Sequence, residues 1–200
     1  MKRFALLAVI SICFLLGAAI AWLIHAPHIS RPLIQQNAEV KIGGSFSLVN
    51  HKGEKVTDKN YQGKLKLVYF CYTRSTDICP AGMQTISAVL ERIQKTDRKI
   101  AALLITYEPE YDTPERLASY LSAYHPQITG LTGTGDRITD AIKRFKVHYS
   151  RKPAPPGSKS SYIVSHSTYM YLMDANGKYL EHFYHGTPVE RIEETILKYL

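Results

Sequence analysis

The residue types that could do chemistry converge on one stretch, Tyr69-Phe70-Cys71-Tyr72-Thr73-Arg74-Ser75-Thr76-Asp77-Ile78-Cys79-Pro80. Cys79 leads it. It stands between an apolar run and an amphipathic run, which places its thiol in the first turn of a helix. Unpaired backbone N–H groups there carry partial positive charge. That charge favours the thiolate, the form that attacks disulfides and holds soft metals. Redox proteins that present sulfur on a strand–turn–helix usually carry a second Cys a few residues away, and Ser75 occupies that place here. Cys71 ends the apolar run and reads as a small buried side chain. Eight positions separate it from Cys79, so the turn predicts a Cα separation beyond the roughly 7 Å a disulfide tolerates unless the loop rearranges. Of the eight histidines, His166 stands out in Val164-Ser165-His166-Ser167-Thr168, a polar interruption of an apolar hairpin. It fits either a ligand or an imidazole hydrogen-bonded at a strand edge. His182 and His185 read as surface residues, and His25 and His28 as interfacial ones.

Elements must hold these side chains in place. Gly43-Gly44-Ser45-Phe46 leads into a strand through Val49, Asn50-His51-Lys52-Gly53 turns the chain, and Lys55-Val56-Thr57 returns as a hairpin. Leu65–Cys71 and Ile100–Thr106 are almost continuously apolar and read as strands buried on both faces. Met83, Ile86, Leu90 and Ile93 recur at helical spacing, predicting a helix from Asp77 to about Thr96, with Pro80 tolerated only in its first turn. Asp112-Thr113-Pro114-Glu115 opens a second helix carrying Leu117, Tyr120, Leu121 and Tyr124. A third carries Ile138, Ala141, Ile142 and Phe145. Arg151–Ser160, with three prolines and a glycine, reads as an exposed loop. Ser161–Asp174 and Tyr179–Tyr184 read as an antiparallel pair, and Thr187-Pro188-Val189-Glu190 as a capping box for the last helix. Alternating strands and helices with a closing hairpin imply an α/β sandwich of thioredoxin type.

The first 25 residues are of another kind. Phe4–Ile24 is uncharged and mostly apolar behind Lys2 and Arg3. About 20 such residues span a bilayer as a helix, with the flanking charges holding the N-terminus in the cytoplasm. The competing expectation is a cleaved signal peptide ending near Ala19-Ile20-Ala21. Either exports the rest of the chain, and the lack of a long Arg- and Ser-rich leader points to a bacterial periplasm. Residues 26–37 read as a tether and 38–200 as one domain. Cys13 lies in the apolar span as an inert filler, so the exported part holds two cysteines and at most one disulfide. The net charge of +8, from 25 Lys plus Arg against 17 Asp plus Glu, is scattered rather than clustered as a nucleic-acid site requires. It suits docking to an acidic partner.

The ordered set of short motifs resembles the SCO/SenC copper chaperones, membrane-anchored thioredoxin-like proteins that assist cytochrome c oxidase assembly. The set runs from Gly43-Gly44-Ser45-Phe46 through Val56-Thr57, Gly63-Lys64, Tyr69-Phe70, Tyr72-Thr73 and Asp77-Ile78-Cys79-Pro80. It continues with Asp112-Thr113-Pro114-Glu115, Leu131-Thr132-Gly133-Thr134, His166-Ser167 and Tyr171-Leu172-Met173-Asp174. In that family two cysteines with three residues between them and a distant histidine bind copper. The resemblance maps the second cysteine to Cys79 and the histidine to His166. It maps the first cysteine to Ser75, a poor ligand for Cu(I). Cys71 falls where the family carries glycine, Thr76 where it carries proline, and Glu108-Pro109 stands for its Asp-Pro.

The resemblance implies a single-pass inner-membrane protein with a periplasmic C-terminal domain. It would carry copper, as Cu(I) or Cu(II), to the oxidase subunit that houses the binuclear copper centre. Cys79 and His166 are its retained ligands and Cys71 a candidate third, with the missing sulfur supplied by a loop shift or by a partner. Cuprous copper is soft and prefers thiolate, with imidazole an acceptable partner. A second reading takes Thr76-Asp77-Ile78-Cys79 as the Thr-x-x-Cys of a thiol peroxidase passing through a sulfenic acid, although Tyr72 stands where that family carries proline. A third is a metal-free assembly scaffold.

Overall fold

The computed structural model describes residues 15–17, 20–22, 41–93, 99–157 and 162–200. Residues 15–17 and 20–22 are helical, and among the described residues no helix is long and apolar enough to cross a membrane. The expected anchor, tether and Cys13 fall largely or wholly outside the described residues. Lys41–Leu200 forms one compact unit.

That unit is built on strands β1 (Ser47–Asn50), β2 (Lys55–Thr57), β3 (Leu65–Cys71), β4 (Ile100–Thr106) and β5 (Ile128–Thr132). Strands β6 (Tyr149–Pro153), β7 (Tyr162–His166), β8 (Met170–Met173) and β9 (Tyr179–Phe183) follow. Helices α1 (Ile78–Arg92), α2 (Pro114–Leu121), α3 (Gly135–Arg144) and α4 (Val189–Leu197) lie between and after them. Seven strands form one sheet in the order β2-β1-β5-β4-β3-β8-β9, with β3, β4 and β5 parallel and the others antiparallel.

All seven residues of β3 and of β4 are buried, as their apolar runs predict for strands covered on both faces. Side chains alternate across the sheet. Leu65, Leu67, Tyr69 and Cys71 join Met83, Ile86 and Leu90 of α1 and Ile192 of α4 in one core. Val68 and Phe70 join Leu103, Ile138 and Phe145 in the other. Cys71 therefore points at the face that α1 covers.

The fit of α1 on β3 is close. Tyr69 is fully buried and its hydroxyl donates to the Ile78 carbonyl at 3.3 Å. A Cβ added at Gly82 would lie 2.5 Å from that hydroxyl oxygen and 2.6 Å from the ring carbon bearing it. Alanine gains about 1 kcal/mol over glycine in a helix, but overpacking a core costs about 1–3 kcal/mol. We expect Gly82→Ala to lower the thermal midpoint, read by circular dichroism, by roughly 2–6 °C. A midpoint that rises would mean α1 can shift on the sheet.

Three local expectations need correction. Ser161–Asp174 is not one strand. β7 pairs antiparallel with β6, Tyr149 opposite His166 and Pro153 opposite Tyr162, in a separate two-stranded ribbon, and only β8 pairs with β9. The break follows from Ser167, whose N–H donates to the His148 carbonyl at 2.9 Å and whose hydroxyl accepts from the His148 N–H at 3.0 Å. Arg151–Pro153, expected as loop, is consequently strand. The last helix begins at Val189 with Pro188 as its N-cap and no side-chain cap. Glu190 reaches Arg92 of α1 at 2.7 Å instead of closing a capping box. The cap of α2 matches expectation, Thr113 Oγ1 accepting from Arg116 N–H with Pro114 in the first turn.

Candidate metal centre

Asp77 caps α1, its carboxylate accepting from Ile78 N–H at 2.7 Å, so Cys79 is the second helical residue. Pro80 follows where a missing N–H costs nothing, since the first N–H groups of a helix have no intrahelical partner. The loop between β3 and α1 folds back on itself, with Ser75 N–H donating to the Tyr72 carbonyl at 3.2 Å. This return lays the first turn of α1 over the end of β3. Cys71 and Cys79 come to a Cα separation of 5.7 Å and form a disulfide. The expected long separation is therefore corrected. Eight positions carry the chain far only if the loop runs outward, and here α1 packs back on its own preceding strand, so its first turn starts above the last residue of β3.

Both sulfurs are fully buried. Cys79 is buried although the loop before it is polar. Ser75, at the place of the expected second cysteine, is buried too, and its Oγ accepts from Cys79 N–H at 3.3 Å. It supports the helix start. Tyr72 lies over the sulfurs, its N–H pointing at Cys79 Sγ at 3.4 Å. Its ring meets His166 edge to face at 5.8 Å between centroids. Tyr107 packs on the same imidazole at 4.9 Å and stacks on Tyr149.

His166, half-buried at the end of β7, places Nδ1 2.9 Å from the Ser167 carbonyl. A carbonyl can only accept, so in a neutral ring this contact assigns the proton to Nδ1 and the lone pair to Nε2. That is the tautomer in which a histidine binds a metal through Nε2. Tyr72 thus touches both Cys79 and His166. Among the described residues no three Cys, His, Asp or Glu side chains stand in a metal-holding arrangement, and a disulfide offers no thiolate to a metal until it is reduced. His182, read as a surface residue, is half-buried among Tyr169, Tyr171, Tyr179 and Tyr184, with Nδ1 2.5 Å from the Tyr179 hydroxyl.

Two acids that sequence reasoning missed anchor the sulfur loop. Asp112 is buried; it accepts from Thr73 N–H at 3.1 Å, from the Thr73 hydroxyl, and from the Thr106 hydroxyl at 2.5 Å. Glu108, whose side chain is 0% exposed, receives Nε and Nη2 of Arg74 on one oxygen at 2.9 and 2.7 Å. Burial pushes the Glu108 carboxyl up, and the guanidinium of Arg74, with that of Arg151, pulls it back. Glu108 stands two residues past the end of β4, at the carboxyl edge of the sheet, where such sheets place functional groups; sequence alone gives its place there but not its partners.

The SCO1/SenC family model matches residues 34–200. The Schizosaccharomyces pombe protein sco1 is 37% identical over 160 residues, 80% of this chain and 61% of that protein. The chain thus spans less than two thirds of that relative's length. An SCO2-like protein of Rickettsia conorii is 40% identical over 155 residues, 77% of this chain and 75% of that one. Among solved structures, copper-bound ScoI of Bradyrhizobium japonicum superposes with a TM-score of 0.72 at 34% identity, covering 80% of this chain and 99% of that one. The mixed α/β fold matches that of Sco structures.

Proposed function

The chain belongs to the SCO1/SenC family, and from that premise we propose that it carries copper on Cys71, Cys79 and His166. The observation that carries this reading is the meeting of Cys71 and Cys79 at a Cα separation of 5.7 Å. The family's first cysteine is a serine here, and a sulfur from the preceding strand takes its part. Two thiolates and an imidazole suit cuprous copper, and the tautomer of His166 leaves Nε2 available to it. The copper bound to the Bradyrhizobium relative supports the choice of metal. An imidazole in the set also lets the site accept Cu(II).

The oxidised pair gives the site a second state. Two electrons and two protons from an external dithiol convert the disulfide to two thiols, the dithiol itself becoming a disulfide. Only the reduced form is competent for the metal. A disulfide suits an oxidising compartment, which supports export to the periplasm behind an N-terminal inner-membrane anchor. The cargo would pass by ligand exchange to the oxidase subunit with the binuclear copper centre, and the positive net charge suits docking to an acidic partner face.

The test is a Cu(I) competition titration of the full-length chain against a chromophoric chelator. We expect the reduced chain to take one equivalent and the oxidised chain none. A reduced chain that cannot compete with even a weak chelator ends the reading.

A further inference from the structure

Cys71 and Cys79 are fully buried beneath the Tyr72–Asp77 loop, so a partner reaches them only after that loop moves. What restrains the loop decides how fast the site can be reduced or loaded. Asp112 holds Thr73 to the β4–α2 connection. Glu108 does something further, because its two oxygens serve different parts of the molecule. One accepts both donors of Arg74, in the middle of the sulfur loop. The other accepts the Tyr162 hydroxyl of β7 at 2.5 Å and lies 3.6 Å from Arg151 Nη2 of β6. The Arg74 guanidinium also lies 4.4 Å from the Tyr111 ring centroid and 5.2 Å from that of Tyr162. Tyr162 begins the strand that His166 ends. One buried carboxylate therefore joins the loop between the sulfurs to the ribbon bearing the histidine.

We propose that Glu108 is a positioning residue that latches the sulfur loop to the histidine ribbon, so that breaking the Arg74–Glu108–Tyr162 link opens the way to Cys71 and Cys79. The latch touches neither sulfur. It slows passage in both directions, reduction and reoxidation alike, and leaves the equilibrium between dithiol and disulfide unchanged. The inference rests on the copper reading only in taking these as the sulfurs to be reached. Disulfide reduction reports on the latch with no metal present, so a failed latch and a failed copper site are told apart.

The experiment follows reduction of the full-length chain, in mild detergent, by excess dithiothreitol. One thiolate of the reagent attacks a protein sulfur and breaks the disulfide. The reagent's second thiolate then displaces the protein as two thiols and leaves as a cyclic disulfide. Acid quenching, alkylation and mass analysis count the thiols, with Cys13 adding a constant one. A hydrogen-bonded charge pair of this strength predicts that Glu108→Gln and Arg74→Gln each raise both rates at least about tenfold. The double variant should be no faster than either single one, since all remove one link. The midpoint potential should not move. Tyr162→Phe, which deletes one hydroxyl, should raise both rates about threefold, and it keeps the test open should Glu108→Gln fail to fold. Rates within twofold of the unmutated chain in Arg74→Gln and Tyr162→Phe overturn the latch. So does a potential that shifts with the rates, because Glu108 would then be acting on the sulfurs themselves.

Discussion

Cys71→Ser and Cys79→Ser should each lower the Cu(I) affinity of the reduced chain by at least about 100-fold, since groups that merely support a metal ligand are worth about 10–100-fold. The serine hydroxyl is hard and protonated at neutral pH, and a soft monovalent ion gains little from it. His166→Ala should cost less, about tenfold, because two thiolates remain to hold the ion and only the imidazole is lost. The equivalence of the two cysteine variants is the sharp part of this expectation. The resemblance places Cys79 at a family cysteine position and Cys71 at none. A chain whose only working sulfur was Cys79 would lose its affinity in one variant and keep it in the other. The measurement is the same chelator competition, run beside Cys13→Ser as a control in the N-terminal apolar stretch. Unchanged affinity in Cys71→Ser would return Cys71 to the role of core filler and leave the second sulfur to a partner.

The architecture was legible where one physical rule acts alone. Continuous apolar runs marked β3 and β4, and a proline that fits only a first helical turn fixed Cys79 at the start of α1. The disulfide was misread although its signal was present. Leu65, Leu67, Tyr69 and Cys71 share a parity, and all four enter the core that α1 covers. Period-2 alternation, carried one residue further, aims Cys71 at the helix whose first turn holds Cys79. Eight positions of chain separate the sulfurs, but the fold of the loop, not its length, sets their distance. The Glu108 link was not legible in this way. It joins Arg74, Glu108 and Tyr162, which are 34 and 54 positions apart, and each residue alone reads as a solvated polar side chain. Arg74 and Glu108 meet because they follow the parallel neighbours β3 and β4, and Tyr162 lies on the β6–β7 ribbon, which the Pro-rich composition of Arg151–Ser160 hides.

Ser75→Cys should rescue Cys71→Ser, restoring Cu(I) affinity to within about tenfold of the unmutated chain, by placing the sulfur at the spacing the resemblance implies. Ser75 Oγ lies 3.3 Å from the backbone nitrogen of Cys79, so a thiol at that position starts beside the thiol it must join. The substitution removes a hydroxyl acceptor from a buried N–H, which costs about 1 kcal/mol and should lower the thermal midpoint by roughly 2–4 °C. In the oxidised double variant, peptide mapping should find residues 75 and 79 joined. Introduced alone, Ser75→Cys should give a mixture of 71–79 and 75–79 disulfides, because Cys79 then has two neighbours. Failure of the rescue would carry its own meaning. Thr73 is held by Asp112 and Arg74 by Glu108, so a loop fixed on both residues before position 75 could keep a new thiol from the metal. The sulfur at Cys71 would then be the only one this loop geometry can use, and a thiol at position 75 could not stand in for it.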